Sequence, residues 1–465
     1  MSNDNQKPSG VLSSKLNDSK SLELYQFTQG IDVDARLCAQ EVRVQKAWAH
    51  ALSKINSLTA EENGQIQAAL DEALTLMNAG TFDWRVRDED IHMNLERFVT
   101  EKCGSLGKKM HLGRSRNDLI ATTLRLFVAD SMLEISTLLK NLVLAIADQA
   151  EKQMHVIVPG FTHLQHGQPI RFGHVLASHG WAFKRDSERS SHAAKDALQS
   201  MPIGSAALAG TTLKVSLADL AAELGFTQPS LNSYDSVGDR DFILDALAVL
   251  STSAVHLSRI SEDFIIWSST PVALVKLPPA WSTGSSIMPN KRNPDVPELV
   301  RGKSAHLMGA HANALTLLKS VPTSYGSDLH ELKSVFLRAF DEAKKCLEIL
   351  PHFIREITVD EKRAQELCKM GHILATEVAD ELASQGVPFR EAYATVAKLV
   401  ERAELLGIQV EDLPIDFLEE TAPLLSPKFL ETLSVESAVE RRNQAGGTSL
   451  GTANKALTSL KNLKQ

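Results

Sequence analysis

Between Ala121 and Met154 the chain runs for 34 residues without a proline or a glycine, and this stretch excludes most folds. Val128, Met132, Ile135, Leu139, Leu142 and Ile146 recur every three or four positions, which places them in one stripe along a helix. At 1.5 Å per residue such a helix reaches roughly 50 Å, longer than a small domain needs. The stripe has to be covered, so the spacing predicts a bundle of similar rods, with neighbouring copies of the chain as a further covering surface. Aromatic residues make up 5% of the sequence, which favours helices packed through Leu, Ile, Val and Ala over a sheet-rich fold.

Other helical patterns follow the same logic. They run from Asp34 to Ile55, from Ala60 to Met77 behind a capping Thr59, from His174 to Leu198, over 214–224, over 240–268, from Glu298 to Leu318 and over 328–350. A separate C-terminal unit is expected from Glu361, with helices at 361–369, 373–384 and 389–405 and a short last helix after Gly446-Gly447. In DEDIHMNLERFV, Glu89, His92 and Glu96 are spaced to share one helical face, and a solvated charged surface is the simplest reading. Residues 1–20 are polar and read as a loose arm without the apolar run of a signal peptide. No window approaches the roughly 18–20 uninterrupted apolar residues of a membrane helix. With 49 Lys and Arg against 57 Asp and Glu, the formal charge of -8 gives no footprint for nucleic acid or an anionic membrane. Cys38, Cys103, Cys346 and Cys368 are far apart and read as reduced thiols, so the cytoplasm is the expected compartment.

Several polar stretches interrupt the helices. Ser282–Arg301 begins with Ser282, Thr283, Gly284, Ser285 and Ser286, continues through Lys291, Arg292 and Asn293, and then enters a helix. Small residues, two cations and a helix N-terminus suit a loop that grips a carboxylate; a solvated basic turn is the alternative. GKKMHLGRSRND, residues 107–118, gathers four cations and His111 around two glycines, which also suits carboxylates. It lacks the GxxxxGK[ST] pattern of a phosphate loop. FTHLQHGQPIRFGH reads as a turn before the next helix. His163 and His166 have HxxH spacing, but no Cys or matched acidic ligand completes a zinc site. Arg240 could bind a ligand or join Asp239 and Asp241 in an ion network.

Taken together, HLGRSRND, FTHLQHGQPIRF, ALAGTT, DSVGDRDF and STGSSIMPNKRNPD, with AGGTS near the end, resemble the fumarase/aspartase superfamily in its order of motifs. HLGRSRND is most similar to the argininosuccinate lyase family. The resemblance implies an all-α, three-domain fumarase/aspartase-like fold with a long central helical bundle. The expected domains are 1–111, 112–361 with the signature loop 282–295, and 362–465. It also implies a homotetramer whose active sites are shared among subunits, small carboxylate substrates, and no cofactor or metal.

The implied reaction is the reversible elimination of fumarate from argininosuccinate to give arginine. The resemblance makes Ser285 the general base and gives Lys291 and Asn293 the developing negative charge. His163, paired with Glu298, is placed on the leaving-group side, and Thr162 on the fumarate half. Arg114, Ser115, Arg116, Asn117, Arg240, Tyr325, Lys333 and His92 match substrate-binding positions. Departures from the family pattern fall at Gly30, Leu119, Gly238, Asn290, Gly326 and His330. Such changes can alter discrimination severely, which keeps a lyase for another N-succinyl amine in view, and behind it a non-catalytic, crystallin-like homologue.

Overall fold

The structure is a computed structural model that describes residues 21–463. The expected arm at 1–20 therefore lies outside the described residues. Helices dominate. The rod extends over Arg116–Lys152, and long helices also cover Phe172–Ala197, Asp241–Ser268, Asp295–Leu318 and Glu331–Glu356. All six residues of the rod's apolar stripe are fully buried within the chain, each worth about 1.5–3 kcal/mol relative to exposure. The stripe is thus already covered before any second copy is considered, and Leu133 and Leu144 on other faces remain exposed.

Contacts divide the chain into two units. One comprises the chain up to Ser136, Glu188–Thr252 and His306–Ala343; the other comprises Thr137–Ser187, Ser253–Ala305 and the chain from Lys344 onward. In the first, Trp48, Leu52, Ile66, Leu70, Leu95 and Leu224 centre a core built by helices Cys38–Lys54, Ala60–Asn78, Ile91–Cys103 and Leu217–Leu224. Thr59 caps the second of these in a reciprocal box with Glu62. In the second unit, Val378, Leu382, Val396, Leu399 and Leu418 form a C-terminal core. Its helices include Ala375–Ser384 and Phe389–Leu406, as the sequence predicts, and also Ile415–Thr421, Pro427–Thr432 and Val435–Arg441, which are too short for periodicity to reveal.

Two expectations are corrected. FTHLQHGQPIRFGH is not merely a turn: Ile157–Thr162 pairs antiparallel with Gln165–Arg171 as a hairpin. Pro159, Pro169, Gly160 and Gly167 conceal the strands, because these residues break the usual alternation. By length and composition, helix Asp241–Ser268 is apolar enough to cross a membrane. Its apolarity serves burial, however, since Ala246, Leu247, Leu250, Ala254, Leu257, Ile260 and Phe264 are fully buried, and Arg259, Glu262 and Asp263 lie within it.

The second correction concerns DEDIHMNLERFV. Glu89 precedes the helix with φ 61, so it does not share a helical face with His92 and Glu96, and both of those are buried. Burial of so many polar groups is tolerable because each finds a partner. Asp90 caps Ile91–Cys103 by accepting the Met93 N–H at 2.9 Å. Asn94 accepts the Arg85 N–H at 2.8 Å, Glu96 lies 3.0 Å from His111, and Arg97 donates to Asp88 at 2.7 Å.

His92 Nδ1 is 2.8 Å from Glu41 Oε2, and the contact is a charge pair without hydrogen-bond alignment. Glu41 also accepts from Gln45 and Thr123, at 2.6 and 2.8 Å. Burial opposes both charges, yet His92 and these donors hold the Glu41 carboxyl below its usual range. Burial likewise works against the His92 cation, but Glu41, Asp90 and Asp34 raise it above the ordinary 6.5. A histidine raised on folding stabilises fully below its unfolded pKa and loses that contribution as pH rises through the folded pKa. Glu41→Gln should therefore lower the His92 titration seen by NMR and flatten the loss of stability above pH 6.5. Titration of wild-type His92 below that value would overturn the pairing argument.

Candidate active site

In the first unit, the start of the rod is fastened by a single carboxylate. Asp118 is fully buried and accepts backbone N–H groups from Ser115 at 3.0 Å, Gly204 at 3.1 Å and Ala206 at 2.7 Å. This ties the small-residue stretch 201–212 to the RSRN turn. Asn117 extends the tie by donating to the Ala207 carbonyl at 3.2 Å, and the Ser115 hydroxyl accepts the Asn117 N–H at 3.3 Å. The two arginines of the turn then have different surroundings. Arg116 is partly exposed and meets Asp90 at 3.1 Å and Glu89 at 3.3 Å. Arg114 is buried, its charge opposed by burial and favoured by Glu41, Glu96 and Asp118, and its Nε and Nη1 have no hydrogen-bond partner among the described residues.

Arg116, Asn117 and Ile120 line a cavity of about 220 Å3 with Glu89, Asp90, Tyr325, Ser327 and His330, and with Leu24 and Thr28 of the short Leu22–Thr28 helix. At roughly 30 Å3 per water, the space suits an amino-acid-sized group. Its wall is polar and carries both signs of charge. Tyr325 and His330 are hydrogen-bonded to each other. Burial, reinforced by Lys333, pushes the His330 imidazole down to about 4, so at neutral pH it is uncharged and its Nε2 can accept the phenolic O–H. Burial pushes the Tyr325 phenol up to about 12 despite Arg240 and Arg116.

Two other sequence-predicted cations are deeper. Arg240 is 2% exposed; burial pulls it down to about 10, and it donates to the Asp239 carbonyl at 2.6 Å. Lys333 is buried against Asp34, whose Oδ2 has no hydrogen-bond partner among the described residues. Asp34, Glu41, Asp90 and Asp118 escaped the sequence reading. Only Asp90, an acid just before the apolar run, left a local signal as a helix cap.

In the second unit, Thr283–Gly284 pairs antiparallel with Arg292–Asn293 and closes the loop 285–291 at its neck. Thr283 also donates to Asp295 through its backbone N–H at 3.1 Å and its hydroxyl at 2.5 Å. Ser285 and Lys291 occupy the two ends of this loop. The Ser285 Oγ accepts the N–H groups of Met288 at 3.0 Å and Ile287 at 3.3 Å, two donors of the kind that stabilise negative charge on an oxygen. Asn293 is half-buried, with its amide 3.5 Å from the Thr283 hydroxyl, and Glu298 is exposed on the first turn of Asp295–Leu318.

Thr162 and His163 lie at the exposed tip of the hairpin. His163 and Leu164 both have positive φ, 55 and 58, as a two-residue turn between twisted strands requires. Neither is a glycine, and such strain is a recurrent property of functional tips. Among the described residues, His163 and Glu298 form neither a hydrogen bond nor an ion pair with each other in one copy of the chain.

The departures from the family pattern fall in distinct places. Leu119 belongs to the first unit's core and leaves the cavity wall unchanged. Gly30 lies beside Asp34, with room for a β-carbon only 3.3 Å from its Oδ2. Asn290 is exposed in the loop, and Gly326 precedes the short turn Ser327–His330. At Gly238 a β-carbon would overlap the backbone of Ser324, itself at φ 74, so this glycine lets the segment before Tyr325 pack closely. Gly238→Ala should cost about 1–3 kcal/mol of stability as an overpacking change, measured by denaturant unfolding. Unchanged stability would mean that the Ser324 segment yields freely.

Comparison with known proteins gives a consistent result. Residues 17–309 match a family described as Lyase, and residues 372–440 match the Argininosuccinate lyase C-terminal family. Argininosuccinate lyase of Hahella chejuensis is 39% identical, covering 91% of this chain and 90% of that protein. The enzyme of Nitratidesulfovibrio vulgaris strain Miyazaki F is 40% identical, covering 91% and 92%. In solved structures, an EDDS lyase variant with bound fumarate superposes with a TM-score of 0.82 at 23% identity, covering 92% of this chain and 86% of that one. Class II fumarase from Schistosoma mansoni gives 0.75 at 18%, covering 92% and 95%. The structural likenesses establish a helical fumarase-like fold, and the sequence relatives establish that the chain belongs to the argininosuccinate lyase family.

Proposed function

We propose that the chain is a carbon–nitrogen lyase that cleaves argininosuccinate reversibly into arginine and fumarate. The observation that carries this reading is the extent of the match to argininosuccinate lyases, 39–40% identity over 91% of the chain. The two-signed cavity around Arg116 supports it, since a guanidinium flanked by carboxylates suits the zwitterionic end of an amino acid.

In this reading Ser285, as an alkoxide, removes the proton from the carbon beside a succinyl carboxylate. The C–H electrons pass into that carboxylate, which becomes a dianion held by Lys291 and Asn293. They then return to form the double bond of fumarate as the C–N bond breaks, and the departing guanidino nitrogen takes a proton from the side of His163. Thr162 holds the fumarate half. Donors that bind the dianion more tightly than substrate lower the barrier. The two N–H groups on Ser285 Oγ supply part of what a serine needs to act as a base.

Arg114, Ser115, Arg116, Asn117, Arg240, Tyr325, Lys333 and His92 serve the substrate in this reading. Arg116, Asn117 and Tyr325 act from the cavity wall, while the buried Arg114, Arg240, Lys333 and His92 act as supports. His163 and Glu298 do not pair within one chain, which favours their meeting across subunits of a homotetramer. The three-domain division near residues 111 and 361, a cytoplasmic location and a place in arginine biosynthesis belong to the same proposal. The family match at 372–440 supports the last domain.

The remodelling around Tyr325, His330 and Gly238 favours one second reading, a lyase that releases fumarate from another N-succinyl amine. Purified protein should convert argininosuccinate into equimolar arginine and fumarate, and Ser285→Ala should reduce kcat by at least about 10³-fold while the assembled size in solution is unchanged. Turnover of other N-succinyl amines, but not argininosuccinate, would select the second reading. A wild-type rate in Ser285→Ala would remove Ser285 as the base.

A further inference from the structure

A two-stranded hairpin is only marginally stable by itself, yet a catalytic group has to be held to within about half an ångström. The hairpin carrying Thr162 and His163 is tethered by residues near the end of the chain. The Arg171 backbone N–H, at the base of the second strand, donates to Thr448 Oγ1 at 3.0 Å. The Arg171 side chain is buried, donates to the Met154 carbonyl at 3.0 Å and pairs with Glu440. Glu440 in turn accepts the Leu450 N–H at 3.1 Å.

The loop that presents Thr448 has little freedom to present anything else. Gly446 has φ 83, a β-carbon at Gly447 would overlap the Arg442 carbonyl, and that carbonyl accepts the Ser449 N–H at 3.1 Å. Nearer the tip, His166 Nδ1 lies 3.0 Å from the Met370 carbonyl. The hairpin's second strand is thus held at two heights by segments far along the sequence.

We infer that Thr448 is a positioning residue, which fixes the base of the hairpin so that its tip presents His163 and Thr162 in one place. The inference rests on the proposed role of His163 in the lyase reaction. Small displacements of a reacting group cost up to about a hundredfold in rate, so loosening one tether of the base is enough to be measured. Thr448 lies on the wall of a cavity that also takes in Thr162, and no substrate contact is assigned to it. Its hydroxyl acts only through the strand.

The test compares Thr448→Val and Thr448→Ser in the full-length assembled protein, reading kcat with argininosuccinate and amide hydrogen exchange. Removing the acceptor should lower kcat by about tenfold and speed exchange over 163–168 by about tenfold, leaving 139–146 unchanged. Serine, which restores the hydroxyl, should return both to near the wild-type level. Wild-type kcat and tip exchange in Thr448→Val would overturn the proposal, as would a loss that serine does not rescue. His163→Asn separates the two ideas: if it keeps the wild-type kcat, the role of His163 falls, and Thr448 is judged on tip exchange alone. Should Thr448→Val fail to assemble, Glu440→Gln weakens the same base with Thr448 intact and has to produce the same faster exchange at the tip; unchanged exchange there would overturn the proposal.

Discussion

The apolar stripe on the Arg116–Lys152 helix cannot be left in water, and much of the architecture follows from covering it. The six stripe residues from Val128 to Ile146 are shielded completely within one chain, which requires other long helices beside the rod. Such rods leave chemistry to their ends and to the segments that join them. The RSRN turn stands at the start of the rod, and the loop 285–291 leads into another long helix. Helix starts expose unpaired N–H groups and favour anions, so a helical scaffold supplies sites for carboxylates as a by-product of its packing.

Charge inside such a scaffold has to be matched by charge. Glu41 with His92, Asp34 with Lys333, and Asp88 with Arg97 are buried pairs in the first unit. Removing either partner would strand the other in a medium that solvates it poorly. These pairs also sort the candidate residues. Arg116, Asn117 and Tyr325 reach the cavity, whereas Arg240, Lys333, His92 and Arg114 are enclosed by protein. Positions drawn from the same sequence motifs therefore have different surroundings, one set open to a cavity and the other enclosed by protein.

Tyr325 and His330 show how a departure from a family pattern can be accommodated. An imidazole kept neutral by burial can accept the phenolic hydroxyl, and Gly238 admits the backbone of Ser324 beside it. These neighbouring changes form one local arrangement, whereas Leu119 is absorbed by the core. The substitutions consequently differ in what they touch, some at the cavity wall and others in the core.

By itself the sequence determined the long helices, because apolar spacing over ten or more residues registers directly as a buried face, and it determined the Thr59 cap, whose partners are three residues apart. The chemistry-bearing stretches were also legible, because clustered serines, cations and glycines have few uses in a helix. Tertiary structure alone decided that the DEDIHMNLERFV helix is buried, since Glu41 neutralises His92 from a distant segment while Asp88, just ahead of the helix, folds back onto Arg97. It decided that two prolines and two glycines conceal a hairpin, and that Thr448 reaches Arg171 across 277 residues of sequence. Periodicity reports which face of a segment avoids water; it contains no term for the distant partner that makes burying a polar group tolerable.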